Sequence, residues 1–512
     1  MAALEALLEE LRNNRISKLR LPLDAHSDMP QLLHSLTRTC NDNNNNSSTM
    51  ILEEVNIDIY ESFRHRADAT TEILELFEVL SASPKLQRLW VDSGREGSPF
   101  YTLNVEALAL VLRRAPQLSR LALYDVELAG NRAQWTELEN AVRTHSALQN
   151  FGLVQCRLAE DTYEWSTDET NTLRASLTLA AAAADNVDNG SNDNDNRSTT
   201  NVDGFDPSLI LEEYEPNTCY ALNHLVQNCL ANCAWVELLG QEFEALGELT
   251  PTALGSLGAS SSLTKLTLDY FDLRDRHIAA LSRALETSQS LRELAVTCEL
   301  GRVGCTAVSQ LLFINTSLTN LTLQLNDVPM YDDPTVIEEI AVEDYNVEKS
   351  RDPTLLIAKA LETNQTLQYF CLKGYAQISR KSREAFATLL RHNMTLISCE
   401  LDLQRSPSPS DDLQREADMF LKLNELGRKE LLEGPDIGDD NCIERHLEES
   451  SPQKWLRTLW EVRHDLDALY YLMSLNPTLC DLSGAPRVPE KRRSVPTYNA
   501  QSHLQLEYLL PS

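Results

Sequence analysis

The chain has 512 residues and carries 45 Lys plus Arg against 77 Asp plus Glu, which gives a formal net charge of −32. That charge disfavours nucleic acid as a partner, because phosphate contacts need a cationic face. No stretch approaches about 18 consecutive apolar residues, so neither a membrane span nor a membrane partner is predicted.

The dominant pattern is a short apolar phrase, Leu-x-x-Leu-x-Leu, that returns along most of the chain. The first residues of neighbouring clear copies lie 27 to 32 residues apart, for example 32 from Leu86 to Leu118 and 27 from Leu291 to Leu318. A period of this length is typical of a solenoid, whose stacked repeats close one core. In chain order the copies begin at Ile16, Leu52, Leu86, Leu118, Leu148, Leu263, Leu291, Leu318, Leu367 and Leu396.

Each period has two halves with different rhythms. The apolar phrase alternates, so its apolar residues share one face of a short strand. The other half has helical spacing, as in Ile278, Leu281 and Leu285, which follow one another at the steps that a buried helical face requires. A strand followed by a helix, repeated, predicts an α/β fold with parallel strands along one wall and helices along the other.

The middle of the chain interrupts the period. The 115 residues between Leu148 and Leu263 correspond to roughly four periods. Asn and Asp dominate 185–206, so we predict a disordered insertion at 180–208. A second insertion, acidic, is predicted at 328–353. The weaker copies assigned to this middle region are Arg174-Leu177-Leu179 and Trp235-Leu238-Gly240.

Several predicted helices end in an Asn that stands just before the next strand, at Asn315, Asn364 and Asn393. Asn tolerates the left-handed conformation that ends many helices, so we predict left-handed caps. The same triplets match the N-glycosylation pattern. The first ten residues lack the basic region of a signal peptide and are expected to form a capping helix, which favours the caps over glycosylation.

The C-terminal part has a different composition. We predict that the solenoid occupies 1–403 and that a linker with Ser-Pro steps follows at 404–411. Apolar residues with helical spacing, such as Trp455, Leu459 and Val462, predict a helical cap at 412–482 that covers the last repeat. The Pro-rich segment 483–512 is expected to be a disordered tail.

Together these residues resemble the ribonuclease-inhibitor-like class of leucine-rich repeats, over about residues 10 to 403. The resemblance implies a horseshoe with parallel strands on the concave face and helices on the convex face. That class places Asn or Cys at the ninth position of the phrase, and Cys156 and Asn326 fit. Other copies depart from the pattern, so their turns are expected to be held differently; they have Val126, Phe271, Glu299 and Tyr375 there. The C-terminal part resembles large uncharacterised intracellular families of this type, for which no activity is implied.

Little in the sequence points to chemistry. It contains no zinc-protease helix, phosphate-binding glycine loop or nucleophile elbow, so we do not expect an enzyme. The best metal-ligand group is Cys219, His224, Cys229 and Cys233, but its spacing is uncommon for zinc, and buried core packing is favoured. No metal or cofactor is therefore expected. The 11 cysteines, an odd number at core-like positions, favour reduced thiols and a cytoplasmic location, with the nucleus as the alternative.

Binding residues are predicted where the strands face away from the core. Within the phrase, positions three, five and seven point to the concave wall. Trp90 and Tyr124 fall on adjacent strands and are flanked by Arg88 and Arg120, and these residue types anchor interfaces. The alternative is that the acidic insertion or the N-terminal loop covers them. The full set of candidates is Arg88, Trp90, Asp92, Arg120, Tyr124, Lys265, Asp269 and Tyr369.

These patterns predict a non-catalytic protein–protein interaction module, an intracellular scaffold or regulator that binds a protein on its concave face. The alternative is a GTPase-activating or enzyme-inhibitor-type regulator of the same fold, which would need one indispensable Arg or a rim loop that enters another protein's active site. The net charge favours a basic partner, although a role in solubility is its favoured explanation. The chain is expected to be monomeric.

Overall fold

The computed structural model describes residues 17–24, 27–41, 52–65, 68–93, 100–188, 219–239, 249–269, 273–325, 353–374, 380–403, 411–433 and 451–475. The chain divides into two units, 1–429 and 430–512. The predicted N-terminal helix and tail lie outside the described residues, as do the acidic insertion up to residue 352 and the linker up to residue 410. The predicted domain boundaries therefore stay predictions.

One long parallel sheet dominates the first unit. It contains 11 strands in the order β1-β2-β3-β5-β7-β9-β10-β11-β12-β13-β14, and every neighbouring pair is parallel. The predicted α/β class with a parallel sheet is thus confirmed. The strands are β1 (Lys18–Leu23), β2 (Glu54–Ile59), β3 (Arg88–Asp92), β4 (Tyr101–Asn104), β5 (Arg120–Tyr124), β6 (Val126–Ala129), β7 (Asn150–Val154), β8 (Arg157–Leu158), β9 (Trp235–Leu239), β10 (Lys265–Asp269), β11 (Glu293–Cys298), β12 (Asn320–Leu325), β13 (Tyr369–Gly374) and β14 (Ser398–Leu403).

Helices connect most strands of the sheet, and helices of successive repeats pack against each other. Buried strand residues meet the helices, as where Phe370 stacks on Phe386 with ring centroids 5.6 Å apart. The helices are α1 (Met29–Asn41), α2 (Glu61–Arg64), α3 (Ala69–Ser81), α4 (Val105–Arg114), α5 (Arg132–Thr144), α6 (Glu160–Asp188), α7 (Tyr220–Asn228), α8 (Pro251–Gly258), α9 (Asp275–Leu285), α10 (Arg302–Ile314), α11 (Thr354–Thr363), α12 (Arg380–Leu389), α13 (Asp411–Glu425), α14 (Arg428–Glu433), α15 (Ser451–Glu461) and α16 (Leu466–Leu475).

The apolar phrase sets the register of the sheet. Its second residues lie side by side, as Leu19 beside Val55 and Leu266 beside Leu294, and these residues are buried. Alternate strand residues point the other way and keep part of their surface exposed, as the burial pattern of β12 shows. Alternation therefore separates a core face from a second face, which we call the open face of the sheet.

Both of the weaker copies that were assigned to the middle of the chain were placed wrongly. The copy at Arg174-Leu177-Leu179 lies inside α6, because a Leu-x-x-Leu step also suits a helix. The same helix runs to Asp188, so residues 180–188 of the predicted disordered insertion are helical; 189–208 lie outside the described residues. Strand β7 pairs directly with β9, so a single repeat with a long excursion joins them.

The second of these copies was placed two residues too late. Val236 aligns with Leu266 and Leu238 with Leu268, so the phrase reads Cys233-Val236-Leu238. Val236 and Leu238 are both 0% exposed, whereas Trp235 occupies an open-face position. Burial of the two aliphatic side chains decides the register, because it removes their apolar surface from water.

A second parallel sheet, β4-β6-β8, follows the main strands in three repeats and was not predicted. The chain enters β6 and β8 through left-handed residues, since Asp125 and Gln155 both have φ of 53°. Their backbone N–H groups donate to Val154 O at 3.0 Å and to Leu239 O at 2.8 Å. These turns are therefore held by backbone bonds, while Cys156 Sγ also contacts Leu123 O at 3.4 Å.

The prediction of left-handed Asn caps was wrong in conformation. Asn315 has φ −72° and ψ 130°, and Asn364 has φ −68° and ψ 131°, so both are extended. An extended backbone is needed there because the next strand begins a few residues later. The Asn side chains are buried and bridge neighbouring repeats, and we call Asn315, Asn364, Asn393 and Asn424 the Asn ladder.

Each member of the Asn ladder donates to carbonyls of the preceding repeat. Asn393 Nδ2 donates to Leu361 O at 2.6 Å and Asn364 O at 2.8 Å. Its Oδ1 accepts from the N–H groups of Thr395 and Leu396 at 2.9 and 2.8 Å. Hydrogen bonds of this kind satisfy backbone groups where a helix ends, which would otherwise be buried without partners.

Helix α13 belongs to the first unit. Asn424 Nδ2 donates to Asn393 O at 3.0 Å and Leu396 O at 2.8 Å. Arg391 forms a two-bond ion pair with Glu416, at 2.6 and 2.8 Å. Arg428, only 1% exposed, donates to Leu390 O at 2.8 Å. These contacts fix α13 against the last strand and helix of the sheet unit.

Candidate functional site: the open face of the parallel sheet

The structure places every predicted binding residue on the open face. None of them is buried: Arg88 and Tyr369 are exposed and the other six are half-buried. They do not form one cluster, because Tyr369 lies on β13, three strands beyond β10 in the sheet. The residues concerned are Arg88, Trp90, Asp92, Arg120, Tyr124, Lys265, Asp269 and Tyr369.

The centre of the open face carries a row of stacked aromatic and cationic side chains. The guanidinium carbon of Arg120 lies 5.4 Å from the ring centroid of Trp90 and 4.6 Å from that of Trp235. Lys265 Nζ lies 4.8 Å from the centroid of Trp235 and 3.0 Å from a carboxylate oxygen of Glu293. We call Trp90, Arg120, Trp235 and Lys265 the aromatic–cation row. Cation–π contacts of this kind fix long side chains in place.

Trp235 is the member of this row that sequence reasoning missed. It was assigned to the core as the first residue of a repeat, and the true register turns it to the open face, opposite Lys265 and Asn150. The signal was present, because Val236 and Leu238 fit the phrase better than Leu238 and Gly240 do. A half-buried Trp on an open sheet face is a strong candidate for an interface anchor.

The floor beside the row is made of small side chains. Ala122 is 3% exposed, and Gly152, its neighbour on β7, is also buried. A Cβ built on Gly152 would meet Ala122 Cβ at 3.6 Å, an ordinary contact. The larger Trp90 and Tyr124 flank this position, on β3 and β5. Both small residues are shielded from solvent, so larger side chains cover this part of the open face.

Charged groups surround Tyr124. Burial raises the pKa of the Tyr124 hydroxyl, and the carboxylate of Glu237 raises this pKa further, while Arg120 opposes the shift. The Coulombic effects of Glu237, Asp92 and Arg120 on one hydroxyl indicate that these charges lie near one another. The hydroxyl is thus neutral at physiological pH and can donate a hydrogen bond to an oxygen acceptor.

In the predicted metal-ligand group the three cysteines are buried, whereas His224 is half-buried. Cys219 Sγ lies 3.3 Å from Ser166 Oγ, Cys229 Sγ donates to Glu139 O at 3.3 Å, and His224 Nδ1 lies 3.2 Å from Glu139 Oε2. Burial raises the pKa of Cys229 to about 12. Across the described ranges, no group of three or more His, Cys, Asp or Glu side chains could hold a metal ion.

Comparisons with known proteins add little. No model of a known protein family matches the chain, and no curated protein matches it. A solved structure of Leiomodin-1 Actin-Binding Site 2 (ABS2) is similar at 14% identity with a TM-score of 0.27, covering 39% of this chain and 95% of that chain. A likeness at that level carries no argument about function. None of the described helices is long and apolar enough to cross a membrane.

Proposed function

We propose that the chain is a non-catalytic protein–protein interaction module, a scaffold or regulator that binds a protein partner on the open face of its sheet. In this proposal the repeats form a leucine-rich repeat horseshoe of the ribonuclease-inhibitor-like class, with the open face as its concave wall. The chain acts as a monomer in the cytoplasm. The free, buried cysteines of the described residues, such as Cys156 and Cys298, support a reducing compartment.

The aromatic–cation row is the observation that carries the proposal. Two Trp side chains and an Arg lie together on a sheet face that no described helix covers. Trp and Arg dominate the energetics of protein interfaces because they bury large areas and are partly ordered before binding. Trp90 and Trp235 are half-buried, so each ring keeps a surface that a partner can cover. A partly ordered, half-exposed group of this kind suits binding.

The alternative function, a GTPase-activating or inhibitor-type regulator, gains no support from the described residues. That activity would use an Arg on a loop that can reach another protein's active site. Arg120 lies instead in the middle of the sheet, on strand β5, and stacks between two indole rings. We therefore keep the interaction module as the proposed function.

The proposal is tested by comparing partners captured from cell lysate by wild-type chain and by a Trp90→Ala/Trp235→Ala variant. The matched control is Phe313→Ala, because Phe313 is an aromatic residue that is 73% exposed on α10, away from the open face. Circular dichroism checks that all three chains are folded. We expect at least one protein to be lost with the double variant and kept with Phe313→Ala. Identical captured sets from all chains would refute binding at this face.

A further inference from the structure

The cations on the open face differ in whether a carboxylate neutralises them. The open face of β1 to β11 carries five cationic side chains, and four of them lie within 2.5 to 3.3 Å of a carboxylate oxygen. Arg120 has no ion pair with any described residue. The four pairs are Lys18–Glu54, Arg88–Glu54, Arg20–Asp58 and Lys265–Glu293.

The register concentrates positive charge next to Arg120. Lys18 lies beside Glu54, Glu54 beside Arg88, and Arg88 directly beside Arg120. Along this register row, three cations against one carboxylate give a charge of +2 (3 − 1), on a chain whose net charge is −32; Asp92 and Glu237 lie in other rows of the open face. Adjacent strands are about 4.8 Å apart, so the two arginines repel each other unless an anion lies between them.

Arg120 is also ordered in a way that suits an anion. Its guanidinium lies over the rings of Trp90 and Trp235, and stacking leaves the N–H groups at the edge of the guanidinium plane able to donate. A planar guanidinium matches the two oxygens of a carboxylate with paired hydrogen bonds. Because the stack already restricts the side chain, less entropy is lost when such an anion binds.

The surroundings favour a single carboxylate over a polyanion. Asp92 and Glu237 lie close enough to raise the pKa of Tyr124, and they would repel the evenly spaced phosphates of a nucleic acid. Arg88 and Arg120 share one register row, whereas Glu237 lies two residues further along the strands and Asp92 four, so one Asp or Glu side chain can address the two arginines. An apolar neighbour on the same partner segment could then pack on the half-buried ring of Trp90 or Trp235.

We infer that the partner binds through an acidic peptide segment, whose Asp or Glu carboxylate pairs with Arg120 while an adjacent apolar side chain packs on the exposed surface of Trp90 or Trp235. The inference rests on the proposed function and names the chemistry of its partner. It also revises the expectation of a basic partner, because the register row that holds Arg88 and Arg120 is positively charged whereas the whole chain is negative.

The test uses a display library of random short peptides, selected in parallel on the full wild-type chain and on Arg120→Gln. Peptides enriched only by the wild type are expected to contain an Asp or Glu next to an apolar residue. A synthetic copy of the most enriched peptide is then titrated against both chains. Loss of a charge-assisted hydrogen-bond pair predicts about a tenfold or greater weakening for Arg120→Gln. The same peptide with Gln or Asn for its acidic residue should lose as much on the wild type, and nothing further on the variant.

Arg283→Gln is the matched control, because Arg283 is an exposed arginine on α9; it should bind the peptide as the wild type does. Binding should also weaken as salt is raised, since exposed ion pairs are screened. Three outcomes would overturn the inference: basic peptides are enriched, binding is unchanged by Arg120→Gln, or no peptide is enriched. If these occur while Trp90→Ala/Trp235→Ala still abolishes capture of a partner, the proposed function survives and the acidic partner does not.

Discussion

Replacing Asn393 with Ala should destabilise the first unit far more than the small size of the side chain suggests. The side chain is 2% exposed and makes four hydrogen bonds to backbone groups, at 2.6 to 2.9 Å. Each such bond contributes about 1 kcal/mol net, and a buried group left without a partner costs about 1–3 kcal/mol. Since these four bonds are lost together, and Asn364 O keeps only a 3.4 Å bond from Thr395 Oγ1, we expect a loss of about 3–5 kcal/mol in the free energy of unfolding.

The loss should be local before it is global, because repeats interact mainly with their neighbours. Hydrogen–deuterium exchange read by mass spectrometry resolves this. Peptides that cover α12 and β14 should exchange faster in Asn393→Ala, while peptides that cover β1 and β2 should exchange as in the wild type. Urea unfolding followed by circular dichroism measures the total change, through a lower midpoint.

Asn140→Ala is the control for the removal of an amide side chain. Asn140 is exposed on α5, where Ala is the better helix former, so its effect should stay within about 0.5 kcal/mol. If Asn393→Ala falls within the same range, or if exchange rises evenly along the chain, the Asn ladder does not hold neighbouring repeats together and the reasoning above is wrong.

Three further changes test other contacts. Gly374→Ala should lower the melting temperature, because Gly374 has φ of 125° and an added Cβ would lie 2.0 Å from Leu325 O; an unchanged melt would contradict this conformation. Burial and the neighbouring Glu400 raise the pKa of Cys371 to about 11. The rate of maleimide labelling at Cys371 should therefore rise about tenfold per pH unit below that value, and it should be faster in Glu400→Gln. Equal labelling rates in the wild type and in Glu400→Gln would rule out the contact. Asp275→Ala should lower the free energy of unfolding by about 1–2 kcal/mol, because the Asp275 carboxylate accepts from two backbone N–H groups at the start of α10, at 2.6 and 3.1 Å. An unchanged midpoint of urea unfolding would show that this cap is dispensable.

The parallel sheet could be predicted from the sequence because its signal repeats. One copy of Leu-x-x-Leu-x-Leu also fits a helix, as Arg174-Leu177-Leu179 within α6 shows. Many copies at nearly constant spacing indicate strands, because stacked repeats must each bury the same face against their neighbours. Spacing alone did not settle the second wrongly assigned copy, because Trp235 lies 28 residues before Leu263 and the true first residue, Cys233, lies 30 before it.

The misplaced register at Trp235 has a simple physical origin. Side chains alternate along a strand with period two, so a shift of two residues leaves Glu237 facing out and Leu238 facing in. The two registers differ in which residues begin and end the phrase, and Trp235 was taken for its buried first residue because Trp is apolar. Val236 and Leu238 fit the phrase better than Leu238 and Gly240 do, and pairing with β7 and β10 places Trp235 on the open face. The conformation of Asn315 escaped prediction similarly, because Asn accepts both extended and left-handed backbones.

Gly152 offers a test of the open face that adds bulk where the other variants remove it. Arg120 reaches Trp235 across β7, which lies between their strands, and Gly152 is the next open-face position on β7. Its added Cβ would make only ordinary contacts, the nearest at 3.6 Å, so Gly152→Ala should fold and capture partners normally. Gly152→Phe adds a ring at a buried position, so some loss of stability is expected, and the ring would project onto the open face and obstruct a partner there. Capture lost with Phe and kept with Ala places the partner over β7, because no existing anchor has been removed. Capture kept by both variants, with folding verified by circular dichroism, would move the partner away from the aromatic–cation row even if Trp90 and Trp235 proved essential.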